Sequence, residues 1–512
     1  MQNVSPSYAP YTDLRVVDLK VKFELIDTNA AENGTASATR ARYPTQIQQV
    51  MNGESMTQNI TDLTPNQWIL NGTNKFIPQN ISAIHTGCRS VLSNNDAKLP
   101  TTSPPTITVE FNQDISCIGF TINFDEFSPY AFASHFKIET YDANGQTVSQ
   151  GEFDNDSTVA TVNLPSYKFR YADFIFTDTW LPMSSVNVAS IIFGVIQNFT
   201  PDNIASASMI QEISLDMSTL PANQFSFTFE NLSKSYNIIN PAGIYKFLQD
   251  EQKIEPTFEI NGETVNGGKY VFLSSETSND GLTATINAGD YITALDGCTY
   301  SDTGTGTWSF KQAVNAVIAA SGLNIETYIQ PLSLANRLVY KAIPENTKCR
   351  EALRMLAQAA RCVLFFDRDN VLTAKEIGAD NIVDSINEDN AESLSGVTNE
   401  GRINTVYLTV EDKTNNTKNI FKAQQLEDGE AERAASVSNP CAYEGQAVAD
   451  WLLGVKSKAI KFTIPFRGNP ALDPGDTVNI DNIFNVTTSA QITKITTSYD
   501  GGLKQAIEAQ GE

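Results

Sequence analysis

The chain has few of the residues from which catalytic and metal-binding sites are usually built. Only two of its 512 residues are histidines, His85 and His135, and neither stands in H-E-x-x-H or a similar metal-binding spacing. His85 and Cys88 form an H-x-x-C pair without the second pair that a four-ligand structural zinc requires. No serine nucleophile elbow, Walker loop or G-x-G-x-x-G occurs either. We therefore predict no catalytic residue, no metal ligand and no cofactor.

Two alternatives to this prediction stay open. The acidic run Asp154-Asn155-Asp156 lacks the full alternating pattern of a calcium loop, but it offers the oxygen ligands that Ca²⁺ prefers. The 59 acidic residues also leave room for the paired carboxylates of a glycoside hydrolase, although a solvated charged face accounts better for most of them.

Paired cysteines, a signal segment and long apolar runs are missing as well. The six cysteines lie far apart, and none forms C-x-x-C. The first residues do not combine basic and apolar stretches, and no apolar run is long enough to span a bilayer. We therefore expect reduced thiols, assembly in a cytosol and no membrane segment.

Positive charge is also scarce. Thirty-five Lys and Arg against 59 Asp and Glu give a formal net charge of −24. Binding to nucleic-acid phosphates needs clustered Lys and Arg, so we expect no tight nucleic-acid binding. A channel lined with carboxylates would still let DNA slide through, because it repels the phosphate backbone.

What the sequence has in abundance is alternation with a period of two, which is typical of half-buried strands. In Gln224–Glu230 three phenylalanines alternate with polar residues, so one face is apolar and the other is wet. Strand-like runs follow around Ile254–Ile260, Lys269–Ser274 and Leu282–Asn287, separated by Asn-Gly, Gly-Gly and Asp-Gly turns. The pattern predicts a small antiparallel barrel in residues 201–306.

Residues 43–200 have a different texture. Short strands, such as the one containing Ile107 and Phe111, recur with turn signals at fairly regular spacing, which predicts a β-sandwich or jelly roll. The earlier strand Lys20–Asp27 has no partner of its own. We therefore assign residues 1–42 to the first barrel, as a strand plus a polar linker, and interpret the jelly roll as an insertion.

Helical periodicity is concentrated after the first barrel. Ser309 is predicted to cap a helix that ends at Gly322, and Thr347 is predicted to cap a second helix with one apolar stripe. These helices and the hairpin after them define an α+β middle domain over residues 307–400. A third helix is predicted over residues 439–456.

Residues 401–512 return to strands. The run Ile460–Phe466 alternates, and a closing hairpin turns at Asp500-Gly501-Gly502. With the strand Asn404–Glu411 these segments predict a second small barrel. The predicted fold class is mainly β with a small α+β middle, two small antiparallel β-barrels and a β-sandwich jelly-roll insertion.

Several runs resemble the baseplate hub, or tail-associated protein, of long-tailed bacteriophages, whose fold family includes the hub half of contractile-tail spikes. The resemblance covers roughly residues 205–512 and rests on the runs LPANQFSFTFEN with NPAGIYKFLQ, ENTKCREALRMLAQAARCVLFFDRDNVLTAKEI, IPFRGNPALDPGDTV and SYDGGLKQAIEAQG. By order and texture, residues 43–194 resemble the galactose-binding-like (discoidin) jelly roll inserted in phage tail proteins.

The resemblance implies a structural virion protein and no enzyme. It implies a homotrimer in which two barrels per subunit form a pseudo-sixfold ring, a tail or baseplate hub that joins the tail tube to the tip. The channel would be acidic and would pass DNA during ejection. The implied partners are the distal tail or tube protein, the tape measure and tail-tip or fibre proteins, in a virion assembled in the host cytoplasm. Contractile tail, non-contractile tail and bacteriocin stay open.

The alternative hypothesis is a carbohydrate-binding adhesin that recognises a host surface glycan through the jelly roll. Sugar sites use loop aromatics and amides at one end of such a sandwich, and we choose Trp68, Tyr130 and Trp180 by residue type as candidate contacts. An equally weighted interpretation makes Trp68 a core residue and the domain a rigid spacer, because fold alone does not define function. A cell-wall hydrolase is a third hypothesis without a supporting motif.

Overall fold

The computed structural model describes the whole chain except residues 6–7, 13–14, 57–59, 62–74, 77–83, 129, 241–242, 305, 377–381, 394–395, 413–416, 482–485 and 512. Strands make up 49% of the chain and helices 12%, which confirms the mainly β prediction. The chain forms two compact units. The first comprises Met1–Lys22, Asn198–Tyr236 and Lys253–Glu512, and the second comprises Phe23–Gln197 and Asn237–Gln252.

Strand β1, Val17–Ile26, begins in the first unit and continues into the second. In the first unit its neighbour in the sheet is the strand Lys253–Ile260. A salt bridge of 2.5 Å between Lys20 Nζ and Glu259 Oε2 joins the polar sides of the two strands. The structure therefore pairs this early strand with the segment that the sequence assigns to the first barrel.

The second unit contains two 3-10 helices, Ile47–Met51 and Ile244–Phe247, and the elements α1 (Ala30–Asn33), β2 (Gly34–Ala38), β3 (Ile60–Thr61), β4 (Lys75–Phe76), β5 (Cys88–Arg89), β6 (Thr106–Phe124), β7 (Ala133–Tyr141), β8 (Thr147–Asp154), β9 (Val159–Thr179) and β10 (Asn187–Ile192). It is built on a seven-stranded sheet of order β5-β10-β6-β9-β7-β8, with β2 also paired to β6. Strand β11 (Gly194–Phe199) begins in this unit, continues into the first and pairs with β1.

Phenylalanines fill the core of the second unit. The ring centroids of Phe111 and Phe193 lie 4.9 Å apart and those of Phe120 and Phe174 lie 5.6 Å apart, both edge to face. Strands β6 and β9 shift register at several points, and such bulges bend long strands around a core. Strand β6 therefore takes the place of two short strands that the sequence predicts, the one containing Ile107 and Phe111 and the next one, from Ile118 to Phe124.

The predicted polar linker up to Arg42 is wrong. Strand β2 pairs antiparallel with β6, and Gly34 and Ala36 on it are buried. The Gln48 side chain donates to the Gly34 carbonyl and accepts from the Ala36 amide, at 2.9 Å in both cases. Small inward residues carry little apolar signal, so this strand does not stand out in the sequence.

The first part of the first unit contains the predicted alternating strands. They are β12 (Ile204–Glu212), β13 (Gln224–Glu230), β14 (Lys253–Ile260), β15 (Glu263–Asn266), β16 (Tyr270–Thr277) and β17 (Thr283–Gly289). The three phenylalanines of β13 are at most 2% exposed, which confirms the predicted apolar face.

The α+β middle follows. Its elements are α2 (Tyr291–Leu295), β18 (Thr299–Asp302), β19 (Thr307–Ser309), α3 (Phe310–Ser321), β20 (Thr327–Ile329), α4 (Leu332–Ala335), β21 (Leu338–Tyr340), β22 (Ile343–Lys348), α5 (Cys349–Ala359), β23 (Val363–Phe366) and β24 (Leu372–Lys375). Helix α3 begins with a capping box of Ser309 and Gln312 and ends at Gly322 with φ of 73°, as predicted.

Helix α5 confirms its predicted apolar stripe, since every stripe residue from Cys349 to Ala360 is buried. The predicted cap is wrong. The N-cap position belongs to Lys348, and the Thr347 hydroxyl donates instead to the Pro344 carbonyl at 2.8 Å. The hairpin of β23 and β24 follows as predicted.

The last part of the first unit contains β25 (Ile382–Ile386), β26 (Gly396–Asn399), β27 (Thr405–Asp412), β28 (Thr417–Gln424), β29 (Ala434–Ser438), α6 (Gly445–Lys456), β30 (Ile460–Phe466), β31 (Thr477–Asp481), β32 (Thr487–Tyr499) and β33 (Leu503–Gly511). The predicted helix start at Asn439 is wrong. The side-chain nitrogen of Asn439, Nδ2, donates to the Met355 carbonyl at 2.9 Å, and its side-chain oxygen, Oδ1, accepts from the Cys441 backbone amide at 2.9 Å. Asn439 therefore stabilises a turn ahead of α6.

The strand predicted at Asn404–Glu411 does not join the second barrel. It is β27, the centre of a separate sheet of order β28-β27-β29. Val406 and Leu408 on it are fully buried in the same core as Val448 and Leu452 of α6. Because both edges of β27 are already paired, it cannot add to the larger sheet.

One large sheet runs through the first unit, in the order β1-β14-β16-β17-β13-β12-β32-β33-β30-β26. The strands of the two predicted barrels therefore meet in a single sheet. The junction is the antiparallel pair β12 and β32, whose register runs from Ala207 opposite Tyr499 to Glu212 opposite Lys494.

Candidate functional site

Four large apolar side chains are exposed on the loops that follow β6 and β9 in the second unit. They are Phe127 at 41%, Tyr130 at 47%, Trp180 at 45% and Met183 at 40% exposure. We call these four residues the apolar rim. Exposed aromatic side chains on a rigid scaffold are common in ligand-binding surfaces.

Hydrogen bonds bring the two loops of the apolar rim together. The Trp180 amide donates to the Phe132 carbonyl at 3.3 Å, and the two rings lie 5.3 Å apart. The Ser184 hydroxyl donates to the Tyr130 carbonyl at 3.4 Å. Two of the predicted contacts, Tyr130 and Trp180, therefore lie at the same end of the unit. The third, Trp68, lies outside the described residues.

A buried ion pair holds the loop of Phe127 in place. Arg89 Nη2 and Asp125 Oδ2 lie 3.2 Å apart, with side chains 1% and 0% exposed. Asp125 Oδ1 also accepts from the Phe127 amide at 3.1 Å, and the Asp125 amide donates to the Asn187 carbonyl at 2.9 Å. Sequence reasoning missed this pair, because 36 residues separate its partners and neither belongs to a motif.

Polar side chains stand beside the apolar rim. His135, one-third exposed, has Nδ1 2.8 Å from Thr177 Oγ1 and 3.9 Å from Asp178 Oδ2. Lys98 Nζ lies 2.7 Å from Asp178 Oδ1. Since Asp178 is two residues from Trp180, aromatic and hydrogen-bonding groups are adjacent at this end. That combination suits a polar ligand with an apolar face, such as a sugar.

The large sheet of the first unit offers a second candidate surface, on the side opposite its apolar core. Residues directly opposite each other in an antiparallel sheet point the same way, so the register identifies the members of this surface. We call it the hydroxyl face and define it as Ser206, Ser208, Gln224, Ser226, Thr228, Ser274, Thr285, Asn287, Thr496 and Ser498.

Charged side chains stand at the borders of the hydroxyl face. On one side Glu230 lies opposite Thr283 and Glu276 opposite Thr285. On the other side Lys494 stands between Glu212 and Glu508, and Lys504 lies opposite Ser498. The borders thus hold four carboxylates and two ammonium groups.

The two histidines and the acidic run show no metal-site geometry. His85 is buried, with Nε2 2.8 Å from the Ala189 carbonyl oxygen. Asp154 is 96% exposed at its side chain, and the Asn155 amide donates to two backbone carbonyls. Within the described ranges, no three His, Cys, Asp or Glu side chains are placed to hold a metal ion.

All six cysteines are free thiols. Among the helices that the structure describes, none is both long and apolar enough to cross a membrane.

Solved structures similar to this chain include phage tail proteins and a carbohydrate-binding module. A tail protein from Neisseria meningitidis MC58 is 13% identical, with 62% of this chain and 94% of that chain covered and a TM-score of 0.45. The 43 kDa tail protein of prophage MuSo2 from Shewanella oneidensis is 15% identical, with 61% and 93% covered and a TM-score of 0.43. The family 32 module of C. perfringens NanJ, solved in complex with galactose, is 13% identical, with 34% and 99% covered and a TM-score of 0.22.

No protein-family model and no curated protein matches the chain. The structural neighbours include phage tail and baseplate proteins, the class that the sequence resembles. Likeness at this level of identity and score concerns the fold and does not extend to function. Function therefore has to be inferred from the sheet and from the apolar rim.

Proposed function

We propose that the chain is a structural phage-tail protein, a homotrimeric hub that joins the tail tube to the tail tip and encloses a channel for DNA. The single observation that carries the proposal is the continuous sheet through the β12–β32 junction. The sheet joins two groups of alternating strands within one chain, so that three copies would supply six such groups. A six-unit ring is what a sixfold tube requires at its end.

The open end of the large sheet supports a ring of copies. Among the described residues, β26 pairs only with β30, and all four of its residues are exposed. An unpaired strand edge invites pairing with another chain, and natural proteins cover such edges. In a cyclic trimer each copy would cover this edge of the next copy.

The remaining parts of the proposal follow from the resemblance and the charge. We propose that the partners are the distal tail or tube protein, the tape measure and tail-tip or fibre proteins, in a virion tail assembled in the host cytoplasm, without enzymatic activity. We also propose the insertion of residues 43–200 between the parts of the first barrel. Because the hydroxyl face carries its few charges at the borders, the proposed channel is only weakly acidic.

The oligomeric state tests this proposal. Native mass spectrometry of the purified chain should give a trimer, and particles containing the chain should give three copies per tail tip after quantitative labelling. A monomer both in solution and in particles would contradict the hub.

A second candidate function is carbohydrate binding through the apolar rim, favoured by the exposed Tyr130 and Trp180 on loops held by a buried ion pair. The full chain should bind on an array of host-surface glycans, and Trp180→Ala should abolish the signal. Tyr167→Ala is the matched control, since Tyr167 is 49% exposed and lies outside the rim. No binding by the unmodified chain would leave the second unit as a spacer.

A further inference from the structure

We infer that DNA passes over the hydroxyl face. Because this surface is uncharged, it does not bind the DNA phosphates, and carboxylates are not required to repel them. The inference rests on the proposed hub function and specifies the surface and its chemistry. It departs from the acidic lining expected from the net charge alone.

The neutrality of this surface is unusual for the chain. With 35 basic and 59 acidic residues, 94 of 512 side chains carry charge. Yet one row across five neighbouring strands reads Ser274, Asn287, Ser226, Ser208 and Ser498. Soluble surfaces ordinarily hold about 25–35% charged residues, whereas this row stays uncharged until Lys504, which lies opposite Ser498 on β33.

Neighbouring side chains on the hydroxyl face form hydrogen bonds with one another. Thr228 Oγ1 and Thr285 Oγ1 lie 2.8 Å apart, and the Asn287 amide nitrogen donates to Ser274 Oγ at 3.2 Å. A phosphate that accepted from these hydroxyls would first have to break the hydrogen bonds between them, which offsets part of what a hydrogen bond to a charged acceptor contributes. It would also release no counterions, and counterion release supplies most non-specific DNA affinity.

One of the two basic groups at the borders of the hydroxyl face is already paired. Lys494 Nζ lies 3.2 Å from Glu508 Oε1, on the strand beside it. Its charge is therefore partly compensated before any phosphate approaches.

The size and polarity of the surface fit a hydrated rod better than a protein partner. The five strands that carry the hydroxyl face, from β16 to β32 in the sheet order, span about 19 Å at about 4.8 Å spacing, which is wide enough for one side of a double helix. The core of a protein interface is enriched in aromatic and other large apolar side chains. Here the middle of the sheet carries Ser, Thr and Asn, with Ile210 between Gln224 and Thr496.

Lysine substitution tests the inference. In the double variant Ser226→Lys and Ser498→Lys, a trimer gains six ammonium groups on the face. We expect the purified variant to bind a labelled duplex of 30 base pairs, with log K falling against log salt at a slope of about −5. Particles carrying the variant should release DNA more slowly by roughly tenfold or more.

The controls separate charge from position. Thr417→Lys with Asn419→Lys adds the same charge to exposed positions of β28, and we expect neither duplex binding nor slower release. Ser226→Asp with Ser498→Asp should release DNA at the unmodified rate. Faster release by the Asp variant would show that repulsion is what matters and would overturn the inference.

A second route does not depend on the lysine variant folding. Ser498→Cys, exposed on the face, is coupled after folding to a cationic or to a neutral thiol reagent of equal size. Only the cationic adduct should slow release and bind the duplex. Equal release by both adducts would overturn the inference. Failure of the hub proposal is recognised separately, because the unmodified chain would then be monomeric or missing from particles.

Discussion

We expect Lys456→Met to destabilise the first unit by about 2 kcal/mol at pH 7. Lys456, in the last turn of α6, forms a short ion pair with Asp216, and the side chains are 23% and 15% exposed. Burial alone would raise the pKa of Asp216, but the ion pair and the hydrogen bonds from Ser218 outweigh burial and lower the pKa from 3.8 to about 2. A shift of nearly two pH units corresponds to about 2 kcal/mol of folding free energy.

The same shift specifies a pH window. Because the pKa of Asp216 is lower in the folded chain than in the unfolded chain, its contribution is fully present above about pH 4 and disappears as the pH falls through about 2. The difference in unfolding free energy between the unmodified chain and Lys456→Met should therefore shrink between these two pH values. Urea unfolding followed by tryptophan fluorescence at pH 7, 4 and 3 measures it.

A second lysine provides the matched control. Lys461 Nζ lies 2.7 Å from Glu400 Oε2, but these side chains are 50% and 57% exposed. Exposed pairs contribute roughly 0–1 kcal/mol, so Lys461→Met should change stability by less than about 1 kcal/mol. If Lys456→Met costs no more than Lys461→Met, or if its cost does not depend on pH below 4, the assignment of the shift to this pair is refuted.

Three further predictions concern buried side chains. Burial raises the pKa of Asp290 to about 7, although two backbone amides oppose the shift, so the stability that Asp290 contributes relative to Asp290→Asn should decline as pH rises from about 4 to 7 in urea unfolding. Phe227→Ala, at a site 1% exposed, should cost roughly 3–5 kcal/mol in the same assay, and Thr228→Ala on the wet side less than about 1. Arg89→Leu should cost roughly 3–5 kcal/mol, because it leaves the buried Asp125 carboxylate unpaired.

Each of these three predictions would be contradicted by a different result. A constant gap between the unmodified chain and Asp290→Asn from pH 4 to 8 would mean that the carboxylate stays ionised in the fold. Similar costs for Phe227→Ala and Thr228→Ala would contradict the alternation of β13. For the ion pair, adding Asp125→Leu to Arg89→Leu should recover part of the loss, and a further loss would show that the two residues act independently.

The sequence predicted best where the physical cause is local. Alternation in β13, the cap at Ser309 and the helix end at Gly322 depend on side chains a few residues apart, and the structure confirms all three. The prediction that Thr347 caps α5 failed because its hydroxyl could either accept from an amide of the helix or donate to a nearby carbonyl. In the structure it donates to the Pro344 carbonyl. Strand β2 was missed because its inward residues are too small to show a period.

For the candidate surfaces too, local features could be predicted from the sequence and contacts between distant segments could not. Residue type and loop position were enough to select Tyr130 and Trp180, but the Arg89–Asp125 pair beneath them depends on a contact between distant segments. Sequence alone made Asn404–Glu411 part of the second barrel, whereas partners on both edges draw it into another sheet.

The sequence by itself determined which side of each alternating strand is polar, because a period of two is a property of neighbouring residues. Only the tertiary structure decided which strands bring their polar sides next to each other in the sheet. Ser208 comes to lie opposite Ser498 through the pairing of β12 with β32, two strands that meet from distant parts of the chain. The energy that sets such a register comes from long-range burial of the apolar side, so a surface formed on the polar side is visible only after folding.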